Sequence, residues 1–160
     1  MNSQSRSPHR SQHERGTPNA NNQVFFKPDL PEVDLLDSLA EKQADAMPGE
    51  AGRGGINSNQ LRKYFGEIKD LYLQYQAKSA QQNPGEVYMK SIEPRFKMIR
   101  SKVSYGSRQG SQGKLSKEFA RMISEGIARV RPKNHHDFEL FVMHLEAVVG
   151  FMYGKGKISK

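Results

Sequence analysis

A His-His-Asp run near the start of the last apolar segment is the cluster whose side chains most suggest metal chemistry. It consists of His135, His136 and Asp137, and His144 follows on the same segment. His-Asp pairs hold divalent metals in some phosphohydrolases, but a metal site needs several ligands that converge on one point. His136 and His144 are eight residues apart and are not an i,i+4 pair. We therefore expect no metal and no cofactor, and we interpret Asp137 as part of a helix cap.

Other patterns that support catalysis are missing from the sequence. The chain has no cysteine, which excludes disulfides and a cysteine nucleophile. Its serines cluster in predicted tails and turns, and a lone carboxylate at Glu146 cannot act as both acid and base. Glu146 is expected to form an ordinary ion pair with a basic neighbour. We predict that the protein is not an enzyme, and the enzymatic alternative is a divergent phosphohydrolase that uses His136, Asp137 and His144.

Positive charge is concentrated in one part of the chain. The formal net charge is +8, yet residues 1–56 hold 6 basic and 8 acidic side chains. Between Lys90 and Lys133 there are 12 basic residues and 3 acidic ones. A basic stripe on a compact domain is typical of proteins that bind polyanions, and it favours contact with nucleic-acid phosphates. The alternative is a helical protein–protein scaffold whose basic face binds an acidic partner.

Some of the cations have an acidic residue at helical spacing and are expected to pair with it. Arg121, Glu125 and Arg129 are spaced four apart and predict a surface ladder. Lys63 and Glu67 form a similar pair. The remaining cations have no acid on the same helical face, and they are the candidates for phosphate contacts: Arg62, Lys69, Lys90, Arg95, Lys97, Arg100, Lys102 and Arg108.

The helices that must position these cations are visible as apolar residues at spacings of three and four. Strong patterns run over residues 61–75, 89–103, 115–130 and 138–152, and a weaker one covers 31–47. Pro94 interrupts the second pattern and predicts a kink or a fresh helix start near Glu93. Asn57 or Ser58 is expected to cap the first strong helix, and Asn134 or Asp137 the last. No segment alternates like a strand, so we predict an all-α fold, a compact bundle of about five helices.

Composition divides the chain into three segments. Residues 1–30 are predicted to be a disordered polar tail in which Phe25 and Phe26 either dock on a surface or stay solvated. Residues 31–55 are predicted to form a short helix and a glycine-rich linker, and residues 56–160 the helical-bundle domain. No stretch approaches 18 apolar residues, and the N-terminus lacks the apolar segment of a signal peptide. We therefore expect a cytoplasmic protein that does not contact membranes.

Three segments of the chain carry a resemblance to a known family. They are NSNQLRKYFGEIKDLYLQY, IEPRFKMIRSKVSYGSRQG and FELFVMHLEAVVGFMYGKGK, within residues 57–157. The sequence resembles the small subunit of the type III-A CRISPR effector, the Csm complex. The matching motif positions are Leu61, Arg62, Lys63, Tyr64 and Phe65, then Pro94, Lys102, Tyr105 and Arg108, then Phe138, Phe141, Glu146, Ala147 and Val149. The N-terminal extension of about 55 residues is longer than the family leads us to expect.

The resemblance implies a non-catalytic helical protein whose copies stack into a minor filament. The implied partners are guide RNA, target RNA, the backbone subunit, the large subunit and further copies of the chain, and a homodimer of the isolated protein is also allowed. A basic face would line the channel in which guide and target RNA pair. From the candidates chosen by charge and the motif positions together, the predicted RNA-backbone contacts are Arg62, Lys63, Lys69, Lys97, Arg100, Lys102 and Arg108.

Overall fold

The computed structural model describes residues 25–49, 58–108 and 115–159, and its elements are all helical. No strand occurs in these ranges, which confirms the predicted all-α bundle. The helices are α1 (Glu32–Leu36), α2 (Ser38–Ala46), α3 (Ser58–Ser79), α4 (Pro84–Val87), α5 (Glu93–Gly106), α6 (Lys117–Arg129) and α7 (His135–Gly154), with a π-helical segment (Tyr88–Ile92) between α4 and α5.

The N-terminal part of the described chain packs on the bundle. The helix predicted over residues 31–47 is broken at Asp37 into α1 and α2, and both helices pack against α7. Phe25 and Phe26 are buried, so of the two outcomes left open by the sequence they dock rather than stay solvated. The remainder of the predicted tail, residues 1–24, lies outside the described residues, and so do residues 50–57, which include most of the glycine-rich linker predicted before residue 56.

A new helix begins next to Pro94. Of the two predicted outcomes, a kink or a new helix start near Glu93, the structure therefore shows the second. The Asn83 side chain accepts a hydrogen bond from the Glu86 amide and caps α4 (3.1 Å). The chain then widens into the π-helical segment, and α5 begins at Glu93. Pro94 lies in the first turn of α5, where its missing N–H group has no helical partner to lose.

Side-chain caps start the last two helices. The Ser116 hydroxyl accepts from the Phe119 amide at the start of α6 (3.3 Å), and Asn134 accepts from the Asp137 amide at the start of α7 (3.0 Å). Asn134, one of the two predicted candidates, is thus the cap of α7, and α7 ends at Gly154. Helix α5 ends at Gly106, and residues 109–114 of the α5–α6 connection lie outside the described ranges.

Helix α7 forms the centre of the core and packs against α1, α2 and α3. Its Phe138 ring lies between aromatic rings of α3, the π-helical segment and α5, with ring centroids at 4.9–6.1 Å. Helix α6 approaches α7 closely at Gly126, where an added Cβ atom would lie 2.2 Å from the Phe141 ring. The apolar stripes seen in the sequence are therefore the core, and the aromatic side chains at these positions pack against one another.

A buried histidine on α7 ties the N-terminal helices to the core. His144 is 1% exposed, with Nδ1 2.5 Å from the Leu35 carbonyl oxygen and Nε2 2.8 Å from Gln43 Oε1. Burial lowers the pKa of His144, which favours the neutral ring. The Leu35 carbonyl can only accept, so Nδ1 carries the proton and donates it to Leu35. The unprotonated Nε2 then accepts from Gln43 when the side-chain amide is turned to present its NH₂ group.

Two lysines at the C-terminal end of α7 hold the other end of α2. The Lys155 Nζ atom lies 2.9 Å from carboxylate oxygens of Glu41 and Asp45. The Lys157 Nζ atom donates to the Asp45 and Met47 carbonyl oxygens, where α2 ends and its last carbonyls lack helical partners. Together with His144, these contacts fasten α1 and α2 along α7.

We predict that stability falls when the pH drops below the ordinary pKa of histidine. In the folded protein burial lowers the pKa of His144, so the unfolded chain takes up its proton first. The stabilisation is fully present above about pH 6.5 and is lost as the pH falls below that value. Guanidinium unfolding at pH 7.5 and 5.5 measures the effect. A His144→Gln variant should show a smaller difference between the two pH values, and an equal difference would contradict the assignment.

Candidate nucleic-acid interface

One end of the bundle brings together the beginnings of α3 and α6 and the end of α5. The Tyr64 hydroxyl of α3 donates to the Lys102 carbonyl of α5 (3.3 Å). The Leu115 amide, just before α6, donates to the Gly106 carbonyl at the end of α5 (3.1 Å). This arrangement collects exposed cations from three helices, and we call the set the basic end: Arg62, Lys63, Lys102, Arg108 and Lys117.

The two cations from α3 at the basic end are exposed. Neither Arg62 nor Lys63 forms an ion pair within the described part of the chain, and Lys63 lies 5.2 Å from the Tyr64 ring centroid. The predicted pairing of Lys63 with Glu67 is wrong, because Glu67 pairs with Lys102 of α5 instead. The sequence of α5 suggested that Lys102 has no acidic partner, and this ion pair shows that it has one on α3.

An aromatic side chain accompanies the cation that follows α5. Tyr105 is 64% exposed, and the guanidinium of Arg108 lies 4.1 Å from its ring centroid. The Arg108 Nη2 atom also donates to the Tyr105 hydroxyl (3.0 Å). Stacking on the ring together with this hydrogen bond restricts the position of the Arg108 guanidinium.

A groove between α5 and α6 continues from the basic end. Its volume is about 270 Å³. Arg100, exposed on α5, lies beside it, with Nε 3.5 Å from the hydroxyl of Ser124, which lines the groove. The groove combines cations with hydroxyl groups, the side chains that most often contact phosphate oxygens; it is lined by Val103, Ser104, Ser107, Lys117, Ala120, Arg121, Ser124 and Glu125.

The charge ladder predicted along α6 is only half present. Glu125 pairs with Arg129 (3.7 Å), but Arg121 turns away from it and lies 4.9 Å from the Phe25 ring centroid. Arg129 covers the same ring at 5.3 Å. Lys117 and Arg121, which our choice of candidates omitted, therefore lie in the groove, and neither forms an ion pair within the described residues. The two residues are four apart, on the face of α6 opposite its apolar stripe, and this spacing could have identified them as candidates from the sequence.

Two of the predicted RNA contacts lie away from this surface. Lys69 pairs with Glu146 of α7, which confirms the ordinary ion pair expected for Glu146. Lys97 is half-buried, and its Nζ atom donates to the Ile127 carbonyl (2.8 Å) and to the Val130 carbonyl at the end of α6. Burial lowers the pKa of Lys97. The expectation that these two lysines lack partners was wrong, because their partners lie on other helices.

The residues of the phosphohydrolase alternative do not converge. Both ring nitrogens of His144 are engaged inside the core, and His136 is exposed. Asp137 binds the Arg131 guanidinium at 2.7 and 2.8 Å and also accepts from the Arg131 amide. Burial would raise the pKa of Asp137, but the hydrogen bonds from Arg131 outweigh it and lower the pKa. The three side chains therefore do not face a common point.

Comparison with known families identifies the chain's family. The family model of Csm2 Type III-A matches residues 32–155, which includes every helix described above. The chain belongs to the Csm2 Type III-A family. No match was found among curated proteins or among solved structures. The Csm2 match confirms the resemblance proposed from the sequence and extends it, because it begins at α1 rather than at residue 57.

Membership of the Csm2 family makes the chain a small structural subunit of the type III-A CRISPR complex, which assembles with the other Csm subunits. The family region includes α1 and α2, in agreement with their packing on α7. The part of the chain before the match is 31 residues long. Among the described residues, no helix has the length and apolar character needed to cross a membrane.

Proposed function

We propose that this Csm2 chain is a non-catalytic, cytoplasmic subunit that contacts the phosphate backbones of guide and target RNA within the type III-A complex. Copies of the chain would form the minor filament, and the basic end with the α5–α6 groove would line the RNA channel. The observation that carries the proposal is the convergence of exposed cations from three helices beside a groove that contains serine hydroxyls.

The proposed contacts are those cations that the fold brings to this side. Five of the seven predicted residues belong to it, and Lys117 and Arg121 are added. Lys69 and Lys97 are left out because each is half-buried against another helix, away from the groove. Lys102 is kept because, although it pairs with Glu67, it is exposed at the basic end. The proposed RNA-contacting set is Arg62, Lys63, Arg100, Lys102, Arg108, Lys117 and Arg121.

Contacts of this kind recognise the backbone rather than the bases. Lysine and arginine release the counterions of the phosphates that they bind, so affinity depends strongly on salt. Phosphate contacts also carry no direct sequence information. Sequence specificity in the complex would then come from base pairing between guide and target, as in other RNA-guided systems.

Fluorescence anisotropy with the full chain tests the proposal. Two single-stranded RNAs of equal length and unrelated sequence should bind with equal affinity, and the logarithm of the affinity should fall linearly with the logarithm of the salt concentration. An affinity that differs strongly between the two RNAs, or that does not respond to salt, would contradict backbone recognition. If RNA does not bind while an acidic protein does, the scaffold alternative replaces the proposal.

A further inference from the structure

A second cluster of chemically active side chains lies far from the basic end. His135, His136 and Glu139, in the first turns of α7, place potential ligand atoms within 4.8 Å of one another. The cluster faces Tyr75 of α3, which lies 11 residues after Tyr64. At the helical rise this is about 16 Å along α3. The cluster is thus separate from the surface proposed to contact RNA.

A buried tyrosine orients two of the three side chains. Tyr75 is 2% exposed, and its hydroxyl donates to Glu139 Oε1 (2.5 Å). The hydroxyl oxygen also lies 2.8 Å from His135 Nδ1. His135 also faces Glu139 through Nδ1, which lies 3.9 Å from Oε1. Nδ1 is therefore the nitrogen of His135 that can share an ion with the carboxylate, and on metal binding the ring proton would be carried by Nε2.

The third side chain is exposed to solvent. His136 has 79% of its side chain exposed, and its Nδ1 atom lies 3.6 Å from Glu139 Oε2. Its ring centroid is 4.0 Å from that of His135. Ligand atoms around a tetrahedral zinc ion are about 3.3 Å apart, because each lies about 2.0 Å from the metal. The three ligand atoms, which lie within 4.8 Å of one another, would therefore have to move closer by about 1.5 Å at most, and the exposed His136 ring has room to turn.

We propose that His135, His136 and Glu139 form a binding site for a divalent transition metal of the Zn²⁺ type. Two imidazoles and one carboxylate suit Zn²⁺, whereas Mg²⁺ and Ca²⁺ prefer oxygen ligands alone. The hydrogen bond from Tyr75 to Glu139 supplies the outer-shell orientation that carboxylate ligands of metal sites usually have. Three protein ligands leave one position for water. The site does not depend on RNA binding and is assigned no catalytic role.

Isothermal titration of the metal-free full chain with Zn²⁺ tests the site, and the visible absorption of bound Co²⁺ reports its geometry. We expect one metal per chain. His136→Ala removes a ligand that is exposed, and Glu139→Gln removes the charge while it keeps an oxygen that accepts from Tyr75. Each change should weaken binding by at least the amount typical of an outer-shell partner, about 10- to 100-fold. Circular dichroism confirms that both variants remain folded.

The matched control removes histidines outside the described residues. A His9→Ala/His13→Ala double variant should bind Zn²⁺ as the natural chain does. Failure to bind Zn²⁺, binding that survives His136→Ala, or binding lost in the double variant would each overturn the proposal. RNA affinity measured on His136→Ala should be unchanged, so the outcome for this site and the outcome for the proposed function can be told apart.

Discussion

Replacement of Arg100 and Lys117 together by glutamate is expected to weaken RNA binding by about 10- to 100-fold near 0.1 M salt. Both side chains lie at the α5–α6 groove, and glutamate would repel the phosphates that the cations attract. Each phosphate contact with a single strand contributes roughly 0.7 to the salt slope. The loss of two contacts should lower that slope by about 1.4, which anisotropy titrations at several salt concentrations measure directly.

The double variant is expected to fold normally. Lys117 is exposed in the first turn of α6, where a glutamate interacts favourably with the helix dipole. Arg100 is also exposed, and its contact with Ser124 is long at 3.5 Å. Surface substitutions of this kind usually change stability by no more than about 0.5 kcal/mol. A loss of affinity would therefore report on the interface rather than on the fold.

A charge-matched control separates local contacts from net charge. Lys42 on α2 and Lys78 at the end of α3 are exposed, and their replacement by glutamate lowers the formal net charge from +8 to +4, as the first double variant does. The control should keep nearly the natural affinity and salt slope. Equal losses in the two double variants would mean that RNA responds only to total charge, and the assignment of the groove would be abandoned.

The helices could be predicted from the sequence because their signals are local. Apolar spacing, Pro94 and the cap at Asn134 act within a few residues, and the structure places helices accordingly. Ion pairs depend instead on which helices become neighbours. Glu67 lies 35 residues from its partner Lys102, so the nearer Lys63 was the only partner that helical spacing could suggest.

The packing of the N-terminal segment on the bundle could not be predicted from the sequence, because it also depends on contacts between residues far apart in the chain. Composition separates residues 31–55 from the bundle, but His144 reaches 109 residues back to the Leu35 carbonyl. The position of Arg121 likewise depends on Phe25, which arrives from the polar N-terminal region. The sequence showed an aromatic pair in an otherwise polar stretch, which was a fair sign of docking. It contained nothing to indicate that the docking surface is α6 beside the candidate groove.

Replacement of Phe138 by alanine is expected to destabilise the protein by about 3–5 kcal/mol. Phe138 is fully buried, and its ring contacts Tyr72 and Tyr75 of α3, Tyr88 of the π-helical segment and Phe96 of α5. Its removal would leave a cavity at the point where these elements meet α7. Whole domains are stable by only about 5–15 kcal/mol, so the variant should lose a large part of its stability in guanidinium unfolding.

An exposed apolar residue gives the comparison for this variant. Leu73 on α3 is 56% exposed, so Leu73→Ala should change stability by about 0.5 kcal/mol or less. If Phe138→Ala cost no more than that, the aromatic cluster would not be what joins α3, α5 and α7. The basic end depends on the α3–α5 contact at Tyr64, which lies away from Phe138. Those Phe138→Ala molecules that remain folded should therefore bind RNA with nearly natural affinity. The substitution reduces the fraction of folded molecules, but it leaves the charges of the basic end in place.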